Sequence, residues 1–164
     1  MGEIFGRAAL PGLLILLTGP MGAGKTALAA GVARGMGIES RIASPTFLYL
    51  QSYEPTVSSC LPLLHADWDR VAPGAEDLEE ALVAQAEDRV TLVEWGEKLP
   101  ASLVTSFSLR VRLLLSIPKD REGRLLKILW DPATDRPEDL RLMQGTVRTL
   151  LEKELPSLYC QRKN

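Results

Sequence analysis

Apolar and polar positions fall into blocks that mark out strands and helices before any residue is given a role. Residues 13–18 form a short aliphatic run closed by Gly12 and Gly19, as expected of a strand buried on both faces. Residues 25–36 are rich in alanine and leucine, with Gly35 and Gly37 at their end, which predicts a helix stopping there. Residues 41–43 then lead into Ser44-Pro45-Thr46, a loop by composition. Residues 48–53 and 62–66 read as two strands joined by a polar turn over 55–59.

Further on, Leu78, Ala81, Leu82 and Ala86 recur at helical spacing within residues 75–88, and Glu76 and Asp77 suit the first turn of that helix. Residues 90–93 are a second aliphatic strand, ending at Glu94-Trp95. Charged and apolar residues alternate in 107–117 and 124–130 on either side of a turn, which predicts a two-stranded antiparallel edge. For the last helix, Asp135 and Glu138 have the spacing of a capping box, and Pro137 falls in the first turn. Leu140, Met143, Val147, Leu151 and Leu155 then make one apolar stripe, expected to pack on the core. Together these elements predict an α/β fold: a mixed β-sheet with a parallel centre and a C-terminal antiparallel hairpin, flanked by helices.

Composition narrows the class. The chain has 164 residues, 46% hydrophobic and 24% charged, which is ordinary for a globular domain and excludes disordered or collagenous chains. We expect a single domain over 1–164, with 131–164 a C-terminal helical extension packed on it. The net charge of −2 argues against autonomous nucleic-acid binding. Cys60 and Cys160 lie too far apart for a metal motif and are expected to be reduced thiols. One histidine, His65, excludes a multi-histidine metal site. The longest aliphatic run is far short of the ~20 residues that span a membrane, so no membrane association is expected. Arg7 and the apolar stretch after it resemble a signal peptide, but Pro11-Gly12 interrupts that stretch and it runs directly into a glycine-rich motif. The expectation is a mature, cytoplasmic chain.

That motif carries the chemistry. Gly19-Pro20-Met21-Gly22-Ala23-Gly24-Lys25-Thr26 satisfies G-x-x-x-x-G-K-[ST], the phosphate-binding P-loop. Glycines let backbone amides turn inward around a polyanion, and the N-terminus of the following helix adds partial positive charge. Lys25 is placed for the β- and γ-phosphates and Thr26 for Mg²⁺, with Ala27 continuing the nucleotide contact. The loop lies between a strand and a helix, as the motif requires, so the fold is P-loop NTPase-like. A P-loop needs an acid opposite it to hold the metal, and two strands end in one. Glu94 closes 90–93 in the manner of a Walker B strand, and Asp67 follows 63–66. Thr46 stands where switch-type nucleotidases place a threonine that senses phosphate and metal. His65 reads as a packed or hydrogen-bonded strand residue. The basic residues Arg141, Arg148, Lys153, Arg162 and Lys163 read as a solvated helix face and tail.

Four separated segments carry a family resemblance: the P-loop, Ser44-Pro45-Thr46-Phe47 with Tyr53-Glu54 after it, Leu64-His65-Ala66-Asp67-Trp68-Asp69-Arg70, and Leu92-Val93-Glu94-Trp95. In this order and spacing the chain resembles the TsaE (YjeE) family of bacterial tRNA threonylcarbamoyladenosine biosynthesis. The resemblance implies an ATPase using ATP and Mg²⁺, acting with TsaB and TsaD, which modify the adenosine next to the anticodon. tRNA would be met only indirectly, through that complex. It also implies that Lys25, Asp67 and Glu94 are catalytic, with Asp67 as the switch II acid and the Thr46 segment as switch I. Thr26 and Glu94 would serve the metal, with Trp95 beside them and Gly123-Arg124 near the nucleotide. Pro20 and Asp69 depart from the family's usual aspartate and aromatic at those positions. Two other readings share the P-loop: a small-molecule kinase of the shikimate- or nucleotide-kinase type, and a nucleotide-dependent binding module in which hydrolysis is incidental.

Overall fold

The computed structural model describes residues 1–155 except Phe47, Ser59 and Arg121, so Cys160, Arg162 and Lys163 lie outside the described residues. Eleven elements follow one another: α1 (Gly2–Arg7), β1 (Leu13–Thr18), α2 (Lys25–Gly35), β2 (Leu50–Tyr53), β3 (Leu63–Asp67), α3 (Glu76–Ala86), β4 (Val90–Glu94), α4 (Ala101–Thr105), β5 (Leu109–Ser116), β6 (Leu125–Trp130) and α5 (Pro137–Glu154). The strands form one sheet in the order β2-β3-β4-β1-β5-β6. Its centre, β3-β4-β1-β5, is parallel, and both outer pairs are antiparallel.

β1 sits in the middle because it is apolar on both faces. Leu13, Ile15 and Leu17 enter a core shared with α1, α2 and α5, whereas Leu14 and Leu16 enter a second core with Leu82 of α3 and Leu103 of α4. Each of these leucines is buried, a gain of roughly 1.5–3 kcal/mol apiece over exposure. Register carries this two-faced pattern outward. Leu17 pairs with Glu94, and Glu94 with Asp67, so both acids share the face covered by α2. On α5, Leu140, Met143 and Val147 join the first core, and Leu151 and Leu155 pack against its edge.

The mixed sheet and its C-terminal hairpin follow the sequence pattern, and three details differ from it. β2 begins at Leu50, not residue 48, because the Leu48 and Tyr49 amides turn back to the Pro45 carbonyl, with Tyr49 at φ +60°. The capping box at α5 does not form. The N-cap is Arg136, one residue past Asp135, and no side chain caps it. Arg136 instead bridges the Asp139 carboxylate and the Pro11 carbonyl, each at 2.5 Å, fastening the helix start to the turn before β1. Finally, α1 and α4 had no counterpart in the sequence pattern. Among the described residues no helix is long and apolar enough to cross a membrane.

Candidate functional site

The carboxyl ends of β1, β3 and β4 open into one cleft of about 350 Å³, the place where open parallel sheets present ligand sites. It is lined by Met21, Gly22, Gly24, Lys25, Thr26, Ala27, Ser44, Thr46, Asp67, Asp69, Arg70, Glu94 and Trp95. Gly22 and Gly24 have φ of +74° and +98°, and a Cβ built on either meets nothing within 4 Å. The protein itself does not fill the space above these two residues, so the loop forms an open cradle at the start of α2. Met21 stands on its rim, 78% exposed.

Lys25 is stowed under this loop. Its Nζ donates to the carbonyls of Gly19 (2.7 Å) and Pro20 (3.1 Å) and lies 3.5 Å from the centroid of the Trp95 ring. A cation over an indole face is attracted by the ring quadrupole. Trp95 reaches back over the cleft because its φ is +57°, uncommon for a bulky residue, and the Gly96 amide anchors the turn on the Leu17 carbonyl. Lys98 also lies over the ring, at 4.8 Å, and donates to Asp69 at 2.5 Å. Asp69, one of the departures from the family pattern, thus holds a cation beside Trp95.

The two acids have different partners. Glu94, 3% exposed, accepts from the Thr26 hydroxyl on Oε2 (2.9 Å) and contacts His65 Nε2 through Oε1 (3.0 Å). Asp67 accepts on Oδ2 from Ser44 (2.5 Å) and Thr46 (2.7 Å), and on Oδ1 from the Asp69 amide (2.9 Å). Ser44 and Thr46 are themselves 3.0 Å apart, so their loop is clipped to the end of β3. From the far side of the sheet, the hairpin brings Arg124 to the Gly22 carbonyl at 3.3 Å. Every site residue singled out from the sequence thus lies at or beside the cleft. Ser44, Asp69, Lys98 and the His65 contact with Glu94 had been given no site role. A period-two signal for His65 was present, since His65 and Asp67 must share a strand face.

The oxygen donors fit a hard divalent cation. Among the described residues no cluster of three or more His, Cys, Asp or Glu could hold a metal alone. A hydroxyl and one carboxylate beside an anion cradle suit Mg²⁺, which is usually held by one or two carboxylates together with substrate phosphates.

Burial alone would raise the Asp67 carboxyl, but the hydrogen bonds from Ser44, the Asp69 amide and Thr46 outweigh it and hold the group below its ordinary 3.8. The lowered folded value means that this stabilisation is complete above pH 3.8 and is lost as pH falls through the folded value. Asp67→Asn should therefore lower stability at pH 7 by about 1–3 kcal/mol. It should also flatten the further loss below pH 4, read from urea midpoints at pH 7, 4 and 3. Parallel pH profiles for the two proteins would refute this role of the carboxylate.

Comparisons with known proteins bear on the family and the fold. Residues 1–124 match the family model for threonylcarbamoyl adenosine biosynthesis protein TsaE. A Streptomyces coelicolor protein named tRNA threonylcarbamoyladenosine biosynthesis protein TsaE is 34% identical over 114 residues, covering 69% of this chain and 76% of its own. A Mycobacterium bovis protein of the same name is 37% identical over 119 residues, covering 69% and 70%. The crystal structure of Bacillus subtilis YdiB superposes with a TM-score of 0.61 at 26% identity, over 90% of this chain and 85% of that one. The family-model match ends at residue 124, just before β6, whereas the superposition extends over most of the chain. With the family model spanning three quarters of its length, the chain belongs to the TsaE family of tRNA threonylcarbamoyladenosine biosynthesis proteins.

Proposed function

We propose that this chain binds Mg·ATP in the cleft and hydrolyses it to ADP and phosphate, and that this hydrolysis sustains tRNA threonylcarbamoyladenosine formation by a TsaB–TsaD-like pair. The observation that carries the reading is the joining of the Thr26 hydroxyl to the Glu94 carboxylate at the mouth of a glycine cradle with a buried lysine beneath it. In this reading the amides of residues 22–26 and Lys25 grip the phosphates, with the N-terminus of α2 behind them. Thr26 and Glu94 hold the cation, and the clipped 44–46 loop and Asp67 face the γ-phosphate. A divalent cation bound there would neutralise charge on the phosphate oxygens during in-line attack by water. Phosphoryl transfer needs mostly positioning and charge neutralisation, which a site of this kind supplies without a covalent intermediate.

The loop motif itself, residues 19–26, contains no arginine that could act as a built-in finger. Arg124 approaches from the loop's outer side, through a carbonyl. Slow hydrolysis by the isolated chain is expected, with acceleration in the assembled complex. The test is phosphate release from Mg·ATP with and without a matched TsaB–TsaD pair. A low basal rate that rises at least tenfold with the pair supports the gated ATPase. An unchanged rate with a pair competent for modification removes the gating and reopens the kinase alternative, to be followed by acceptor screening.

A further inference from the structure

We propose that His65 is a positioning residue, holding the Glu94 carboxylate in the orientation in which it serves the metal; the inference rests on the Mg·ATP reading above. His65 is fully buried in the centre of β3, opposite Leu92 of β4, and Glu94 lies two residues further along β4 on the same face. The diagonal brings His65 Nε2 to within 3.0 Å of Glu94 Oε1, while Thr26 holds Oε2 at 2.9 Å. The carboxylate is thus held at both oxygens, by the sheet on one side and by the start of α2 on the other. Glu94 is itself buried, so loss of the His65 contact would leave Oε1 without a donor and the carboxylate free to turn away from Thr26.

The other ring nitrogen identifies the direction of the bond. His65 Nδ1 is buried with no hydrogen-bond partner, and the ring of Tyr53 stands 6.5 Å away between ring centres. A carboxylate oxygen only accepts, so Nε2 donates, and a hydrogen on Nδ1 would point at nothing. An imidazole used only to fill space would not need its single polar contact aimed at the one carboxylate that meets Thr26. Carboxylates and imidazoles behind a metal's direct ligands commonly change metal affinity by 10–100-fold when removed.

The test measures ATP binding by calorimetry with Mg²⁺ and with EDTA, for the wild type, His65→Leu and His65→Gln. Leucine fills much of the volume without a donor, and glutamine can place an amide N–H near the position of Nε2. For His65→Leu, the Mg²⁺ concentration giving half-maximal enhancement of ATP binding should rise about tenfold or more, with metal-free ATP affinity unchanged. His65→Gln should recover most of that shift. Unchanged Mg²⁺ dependence in His65→Leu overturns the proposal. So does an equal loss of affinity with and without Mg²⁺ in both variants, which is what a packing role alone would give. A wild type that fails to bind ATP under either condition sinks the Mg·ATP reading itself, whereas Mg²⁺-linked binding in the wild type and equally in His65→Leu sinks only the role of His65. Should His65→Leu fail to fold, ¹⁵N NMR of the wild type decides, because His65 is the chain's single histidine. A hydrogen on Nε2 is expected, and a hydrogen on Nδ1 alone overturns the proposal.

Discussion

Alanine in place of Lys25 is expected to lower Mg·ATP-dependent phosphate release by at least about 100-fold and to weaken ATP binding about tenfold or more. The lysine is 6% exposed and rises from the first residue of α2, directly beneath the glycine cradle. Its Nζ is held by two loop carbonyls and the Trp95 ring, contacts that a phosphate oxygen can replace with a short swing of the side chain. Of the residues along the cleft wall, the other cation is Arg70, which lies three residues past the end of β3. Within the loop motif, residues 19–26, Lys25 is the single cation. A charge-assisted hydrogen bond contributes about 1.5–3 kcal/mol to binding, and more where charge accumulates during transfer in a site sheltered from water. The substitution also leaves the Gly19 and Pro20 carbonyls without their donor, so folding should be checked by thermal melting. Wild-type rates of release by a folded Lys25→Ala protein would remove the phosphate-binding role of the loop.

The gathering of these residues in one cleft was legible in the sequence because its signals are local. A phosphate loop is one contiguous motif, and an acid at the end of an aliphatic strand lies at the sheet's edge wherever the strand is placed. Asp67 and Glu94 needed only β3 and β4 to be neighbours, which their register makes them. Trp95 could be placed beside Glu94, but not over Lys25, since that depends on a positive φ that no residue pattern announces. The Ser44 contact with Asp67 was hidden for a similar reason: it joins a loop to a strand 23 residues away. Local signals also misled. Asp135 and Glu138 have capping spacing, yet Arg136 takes the cap because its guanidinium ties α5 to Pro11 across the fold. The largest omission, α1, has the weakest local signal. Six residues that include two glycines have little intrinsic helicity, so the element exists only because of what it touches.

That contact sets the second large effect: Gly6→Ala is expected to destabilise the fold by about 3 kcal/mol, lowering the melting temperature by roughly 6–12 °C. Gly2 and Gly6 of α1 lie against Gly31 and Gly35 of α2, backbone on backbone. A Cβ at Gly6 would stand 2.1 Å from the Val32 carbonyl oxygen, and one at Gly35 would stand 2.2 Å from that of Glu3. These obstacles are helical main chain and cannot rotate aside as a side chain could. The helices must separate, and separation withdraws Ile4 and Phe5 from the core in which both are buried, at roughly 1.5–3 kcal/mol for each fully exposed. Gly145→Ala on α5 is the matched control. It is also a helical glycine, but its Cβ meets nothing within 4 Å, so helix propensity should leave it neutral or stabilise it by up to about 1 kcal/mol. If both variants melted at or above the wild-type temperature, α1 would not be docked at the distance described. The proposed ATP site gives an independent reading. α1 packs on α2 from Leu28 to Gly35, whereas Lys25 and Thr26 are the first two residues of that helix. Well below its melting temperature, the Gly6→Ala protein should therefore keep wild-type ATP affinity, because the loop is held by β1 and Glu94 and not by the N-terminal helix.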